Sequence, residues 1–404
     1  MPGGTAASFR AMFAALEPIG RDRASGGYRR FSWTGADLAC RAWFAEQAAT
    51  RGMDCAPDRN GNLWAWWGEP GPDAVVTGSH LDSVPDGGAY DGPLGLLAAF
   101  CAVDELRDRG VRPARPLAVA AFTEEEGGRF GVACLGSRLL TGAIEPDRAR
   151  ALTDADGISL AEAMRAAGQD PDAIGADPAL LATIGAFVEL HIEQGRGLVD
   201  LDAAVGLGTG IWPHGRWRYH FAGEANHAGT TRLADRRDPM LTFANTVLAA
   251  RKKARLAGAL ATFGRIAVLP NGTNAVPSTV DGWLDARAPA EEQLAALVAD
   301  ITRAAGERGD RDGVRVVVTP ESITPAVAFD RALLDRLGAA LRGVPELATG
   351  AGHDAGILSA AVPTAMIFVR NHTGISHSPA EHADEADCLA GVHALADALD
   401  TLLT

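Results

Sequence analysis

AVVTGSHLDSVPDGGAYDG, residues 74–92, is the stretch on which the fold turns. It opens on Ala74, Val75 and Val76 and then sets His80, Asp82, Asp86 and Asp91 among small residues. A strand covered on both faces reads as a continuous apolar run, so charge at its very end calls for a role. The same grammar recurs in LAVAAFTEEEG (117–127), GAFVELHIEQG (185–195) and TAMIFVRNHTGISH (364–377). Helical patterns lie between these runs. Residues 36–52 are amphipathic and stop at Gly52, and residues 93–110 start near Pro93 and stop at Gly110. Strands with polar ends, separated by helices, describe an open α/β sheet whose ligands sit beyond the carboxyl ends of the strands.

The pattern changes between 212 and 326. RWRYHFAG reads as a strand, PMLTFANTVLAARKKARLAG as a helix, ATFGRIAVLP and STVDGWLDARA as strands, EEQLAALVADITRAAGERG as a helix and VRVVVTP as a strand. The order β-α-β-β-α-β is that of a ferredoxin-like unit. Because the run at 364–377 follows it, the unit reads as an insertion. The expected organisation is a discontinuous catalytic domain (1–211 and 327–404) interrupted by a second domain (212–326).

The 404 residues carry a formal net charge of −14, with 47% hydrophobic and 22% charged residues. That balance is globular. It excludes nucleic acid and anionic membrane as expected partners, since both call for a basic surface, but leaves a small anionic substrate open. Five scattered cysteines without a CxxC indicate neither a disulfide framework nor a cysteine zinc site. The N-terminus MPGGTAASFRAMFAAL lacks the pattern of a signal peptide, and no run reaches the ~18 apolar residues of a membrane span. A cytoplasmic protein is the expectation.

The polar strand ends supply His80 and Asp91, Glu125 and Glu126, His191 and His377. Neutral imidazoles with carboxylates suit Zn, Mn, Co or Ni. Any one of these histidines alone would read as a core or surface residue; their joint placement in one crevice points to metal. Two divalent ions about 3.5–4 Å apart need a bridging carboxylate, and Asp91, in a glycine-rich turn, is the candidate. Asp82, two residues after His80, could accept that ring's second N–H. Of the glutamate pair, one would bind metal and the other stay free as general base; position along a strand does not tell which.

Together GSHLDSVPDGGAYDGPLG, FTEEEGGRFG, ELHIEQG, GEANHAGTTRLADRRDP, PNGTNAVPS, LDAR and GISHSPAEH resemble the metal-dependent hydantoinase/carbamoylase-type amidases. That family, which includes allantoate amidohydrolases, N-carbamoyl-L-amino acid hydrolases and β-ureidopropionases, belongs to a wider dinuclear aminoacylase and carboxypeptidase superfamily. The resemblance implies an aminopeptidase-like catalytic domain with two divalent ions per subunit (Zn or Mn, with Co or Ni possible) and an inserted lid that also forms a homodimer. It implies His80, Asp91 and His191 on one ion, and Asp91, Glu126 and His377 on the other. Glu125 would be the general base and His227 the oxyanion donor. Asn274 and Arg287 would hold a substrate carboxylate, and Gln194 would contact substrate or support the site. The implied reaction is hydrolysis of a ureido C–N bond next to a carboxylate. Allantoate, giving ureidoglycine, ammonia and carbon dioxide, is the first expectation, and an N-carbamoyl-L-amino acid the alternative. A peptidase or deacylase of the superfamily is more distant, because relatives of that type carry a carboxylate where this chain has His191.

Bland readings stand beside these. Arg287 alone would be a surface ion pair, Asn274 a turn residue, His227 a histidine at a strand end. His353 and Asp354 lie in a glycine-rich stretch read as a flexible loop, with a supporting or substrate role. His382 competes with His377, Glu124 reads as solvated or supporting, and Arg129 as the partner of a nearby carboxylate. No catalytic role is expected for His214, His220, His372 or His393. Arg232 after HAGTT and the VRNHTGISH approach depart from the commoner family pattern and bear on the substrate pocket.

Overall fold

The computed structural model describes residues 2–404, with burial from Gly4 onward. Of the N-terminal stretch read above, Met1 lies outside the described residues and Pro2–Leu16 is helical. The chain folds as two compact units, Met1–Gly210 with Ala328–Thr404, and Ile211–Val327.

The strands, in chain order, begin with β1 (Asp54–Pro57), β2 (Leu63–Trp67), β3 (Ala74–His80), β4 (Leu117–Phe122), β5 (Ile184–Ile192) and β6 (Val205–Ile211). The second unit holds β7 (His214–Ala222), β8 (Asn226–His227), β9 (Leu260–Leu269), β10 (Ala275–Val276), β11 (Thr279–Arg287) and β12 (Arg315–Thr324). The chain returns with β13 (Val327–Ala328), β14 (Glu346–Thr349) and β15 (Thr364–Val369).

The sheet of the first unit runs β1-β2-β4-β3-β5-β15-β6-β13, with β14 beside β6. Its centre, β4-β3-β5-β15, is parallel throughout. That explains why these four were legible: β3, β4 and β15 are buried at every position. Being parallel neighbours, they also send their following loops out of one edge of the sheet. Helices Pro93–Asp108 and Glu385–Leu403 pack against each other, and Leu94, Leu96, Leu97 and Phe100 fill the interior behind β3. The antiparallel pair β1 and β2 was not anticipated; β2 carries Trp64, Trp66 and Trp67.

The sheet of the second unit has the order β12-β7-β11-β9, antiparallel at each step. β7 and β11 alternate between buried and less buried positions, as a sheet covered on one face must. Tyr219, Phe221 and Leu284 on that face meet Phe243 from helix Pro239–Leu256 and Leu297 and Ile301 from helix Glu291–Asp312. The β-α-β-β-α-β order is as expected. A short ladder, β8 with β10, adds one feature that periodicity did not show.

Candidate metal centre

His80 closes β3, His191 lies one residue before the end of β5, and Glu124–Glu126 follow β4. Asp91 sits in the turn before helix Pro93–Asp108. Gly92, the cap of that helix, has φ +82°, and a Cβ there would lie 2.5 Å from the His80 ring. The glycines of the opening stretch thus let the Asp91 turn close onto the imidazole. His377 comes eight residues after β15 ends at Val369, further out than a strand end. Its approach is shaped by buried Asn371. The Asn371 side-chain oxygen accepts from the Thr373 and Gly374 amides, and its NH2 donates to the Ile375 carbonyl.

Asp91 is the hub. Its Oδ1 lies 3.5 Å from His80 Nε2 and 3.2 Å from His191 Nε2, and its Oδ2 lies 3.4 Å from His377 Nε2. His377 Nε2 is also 3.4 Å from Glu126 Oε2. Two groups that could hold a cation therefore share one carboxylate: His80, Asp91 and His191, and Asp91, Glu126 and His377. Ring protonation fits that use. His80 Nδ1 lies 3.1 Å from the Asp82 carbonyl and His191 Nδ1 2.9 Å from the Ile192 carbonyl. Carbonyls only accept, so both rings carry their proton on Nδ1 and present the Nε2 lone pair. Both Nε2 atoms are buried without a hydrogen-bond partner. Orphaned lone pairs converging on a shared carboxylate are what a divalent cation requires.

Electrostatics point the same way. Burial, reinforced by Asp354, Glu126 and Asp82 against the opposing pull of His80, pushes the Glu125 carboxyl well up. Burial and then Asp91 raise Glu126 to about 7. Burial works against the Asp91 charge, yet the facing His191, His377 and His80 rings hold its carboxyl well below the usual range. Carboxyls crowded together and pushed up by burial mark a place where bound cations would favour the ionised forms.

Around this hub several expectations change. The Asp82 carboxylate does not take the His80 ring proton; its backbone carbonyl does. The carboxylate instead accepts the amides of Glu125 (3.1 Å) and Glu126 (3.0 Å) and so sets the turn that presents both glutamates. Glu124 is not solvated. It is 1% exposed and accepts the Arg129 and Phe130 amides. His353 and Asp354 belong to the core rather than to a flexible loop. The His353 ring lies tilted against the His191 ring, with centroids 4.4 Å apart and planes at 59°, and Asp354 accepts the Ser137 hydroxyl. Arg129 pairs with Asp154. Glu125 lies 3.8 Å from His80 Nε2 and accepts the Cys134 thiol at 3.3 Å, while Glu126 faces His377. His382 pairs with Asp384 instead of joining the cluster. His214, His220, His372 and His393 are held by the Trp212 carbonyl, Asp281, Asp384 and Glu105 respectively.

Gln194 donates to Asp91 Oδ2 at 2.8 Å and lies 3.2 Å from both Ser376 Oγ and His377 Nε2. Ser376 and Glu381 contact the same hub and were missed. Both stand in GISHSPAEH, where a serine and a glutamate beside two histidines carry no spacing signal of their own.

In the second unit, the β8–β10 ladder sets His227 opposite Ala275, and the Ala228 amide donates to the Asn274 carbonyl. His227 and Asn274 are therefore neighbours on one exposed surface. His227 Nδ1 accepts from the Gly229 and Thr230 amides, which leaves the proton of a neutral ring on Nε2 as an outward donor. Arg287 binds Asp285, with Nε at 2.8 Å and Nη2 at 3.3 Å. Arg232 is exposed and pairs with Asp235.

Imidazoles and carboxylates gathered at the carboxyl edge of parallel strands stand where open α/β sheets hold their ligands, and the sheet that carries them has the aminopeptidase-like hydrolase fold. Residues 76–401 match the model of peptidase family M20/M25/M40, and the chain belongs to that family. It is 38% identical over 381 residues, 92% of both chains, to the N-carbamoyl-L-amino acid amidohydrolase of Geobacillus stearothermophilus. It is 33% identical to the allantoate amidohydrolase of Escherichia coli (strain K12), over 94% of both chains. Among solved structures, the hydantoinase/carbamoylase-family amidase of Burkholderia multivorans superposes with a TM-score of 0.87, at 29% identity over 98% of both chains. The chain is thus an amidohydrolase acting on C–N bonds, as the sequence resemblance implied. No helix among the described residues is long and apolar enough to cross a membrane.

Proposed function

We propose that the protein hydrolyses a ureido group next to a carboxylate, using two divalent cations (Zn or Mn, with Co or Ni also accommodated). The sharing of Asp91 between two ligand groups carries this reading. Cations held by these groups would supply Lewis acidity for the hydrolysis. Glu125, whose carboxyl burial pushes up, takes the proton of the attacking water and delivers it to the leaving nitrogen. His227 donates from Nε2 to the developing oxyanion. Arg287, oriented by Asp285, and Asn274 hold the substrate carboxylate, so binding energy goes into positioning. Gln194 orients the hub, and Asp82, His353 and Asp354 support the ligands from behind.

Allantoate is the first substrate on the sequence motifs. An N-carbamoyl-L-amino acid is the second reading, favoured by the 38% identity to the Geobacillus enzyme. The discriminating experiment uses the Mn- or Zn-loaded protein and reads ammonia release from allantoate and from a panel of N-carbamoyl-L-amino acids, beside free amino acid release from N-acetyl-L-amino acids. Turnover of allantoate alone establishes the first reading, and turnover of the carbamoyl compounds the second. Turnover of only the acyl compounds refutes both.

The inserted unit is proposed as lid and homodimerisation element of a cytoplasmic enzyme. Edge strand β9 exposes Leu260, Ile266 and Leu269, and the adjoining helix Pro239–Leu256 exposes Leu241, Leu248 and Leu256. An open edge flanked by apolar side chains suits pairing with a second copy.

A further inference from the structure

A buried carboxylate outside the ligand set joins two distant parts of the chain. Glu381 is 5% exposed. Its Oε1 accepts the backbone amides of Tyr90 (3.0 Å) and Asp91 (2.9 Å). Its Oε2 lies 3.0 Å from Ser376 Oγ, and that hydroxyl is 3.1 Å from Asp91 Oδ2. Gly88 makes room for the arrangement, since a Cβ there would lie 2.3 Å from Glu381 Oε1. One side chain thus ties the turn carrying Asp91 to the loop carrying His377, across 290 positions of sequence.

We propose that Glu381 is a positioning residue for the shared ligand. By fixing the Asp91 amide it sets where the carboxylate starts. Through Ser376 it sets the direction of Oδ2 and the approach of His377. Both ligand groups then depend on it, because both contain Asp91. The inference rests on the proposed reading of Asp91 as shared ligand. Partners that orient metal ligands from behind govern affinity by about 10–100-fold.

The test uses the full chain stripped by a chelator, titrated with Zn²⁺ against a competing chelator dye and with Co²⁺ by visible absorption. Wild type is compared with Glu381→Gln, Glu381→Ala and Gly88→Ala. In Glu381→Gln the amide oxygen still accepts both backbone N–H groups and the NH2 donates to Ser376 Oγ, so affinity stays within about threefold of wild type. Glu381→Ala removes the staple and Gly88→Ala displaces it; each weakens both ions by about 10–100-fold and alters the Co²⁺ spectrum. If Glu381→Ala fails to fold, Gly88→Ala carries the comparison. Two tightly bound ions with an unchanged Co²⁺ spectrum in the alanine variants overturn the proposal, as does equal loss in Glu381→Gln, which would assign the effect to charge. A wild-type protein that binds neither ion instead overturns the metal reading beneath it.

Discussion

Replacing Asp82 by alanine isolates the turn that presents the two glutamates. The Asp82 side chain is 3% exposed, and its two oxygens accept the Glu125 and Glu126 amides at 3.1 and 3.0 Å. Hydrogen bonds to a charged group contribute about 1.5–3 kcal/mol each, so removing both acceptors loses roughly 3–6 kcal/mol. Part of that loss is offset. Asp82 stands close enough to Glu124, Glu125 and Glu126 to push their carboxyls up, and burial works against its own charge. A net destabilisation of about 2–4 kcal/mol is expected in the metal-stripped protein. Urea unfolding followed by tryptophan fluorescence reads it directly; Trp33, Trp43, Trp64, Trp66 and Trp67 all lie in the same unit. Asp82→Asn keeps one acceptor but turns an NH2 toward the other amide, so it recovers less than half the loss. Should the alanine variant unfold within about 0.5 kcal/mol of wild type, the ordinary scatter of a surface change, the amides have other partners and the reasoning fails.

Further outcomes follow from the same geometry. Glu125→Gln lowers ureido hydrolysis by about 10²–10⁴-fold while Zn²⁺ titration still shows the wild-type stoichiometry; retained turnover removes Glu125 from its role as base. Gly92→Ala, which would place a methyl 2.5 Å from the His80 ring at φ +82°, weakens metal binding by about 10–100-fold, read by the same titration. Chelation abolishes activity and lowers the melting temperature, and both return on adding Mn²⁺ or Zn²⁺; a ligand present at 100 times its Kd stabilises by about 2.7 kcal/mol. Leu248→Asp on the exposed face of helix Pro239–Leu256 converts the proposed dimer to monomer in sedimentation velocity, and an unchanged mass excludes that face.

What could be read from sequence follows from how far each signal reaches along the chain. β3, β4, β5 and β15 announce themselves because parallel strands covered on both faces must be apolar throughout. The inserted unit shows in the change to alternation at β7 and β11. His80, Asp91, Glu126, His191 and His377 were legible as polar residues following such runs. Their partners were not. Glu381 meets Asp91 across almost the whole length of the catalytic unit, and no local period encodes that pairing. Asp82 was placed correctly as the partner of the His80 ring but with the wrong acceptor atom, because spacing cannot separate a side-chain acceptor from the carbonyl of the same residue. The solvated alternative for Glu124 and the flexible loop around His353 fail while the supporting alternative for each stands, since polar and glycine-rich stretches look alike in sequence whether solvated or packed. Arg287 showed its bland reading, an ion pair with Asp285, and that pair is also what would orient its guanidinium toward a substrate.

The place of β15 bears on how the molecule is made. It is inserted parallel to β5 and between β5 and β6, yet it leaves the ribosome only after the whole inserted unit. At about 5–20 residues per second, the edge of β5 stays unpaired for roughly 10–35 s of synthesis between Ile192 and Val369. Throughout that interval the edge of an apolar strand is open to the wrong neighbour. His377 follows still later, so a chain stalled before it lacks one proposed ligand of the cluster.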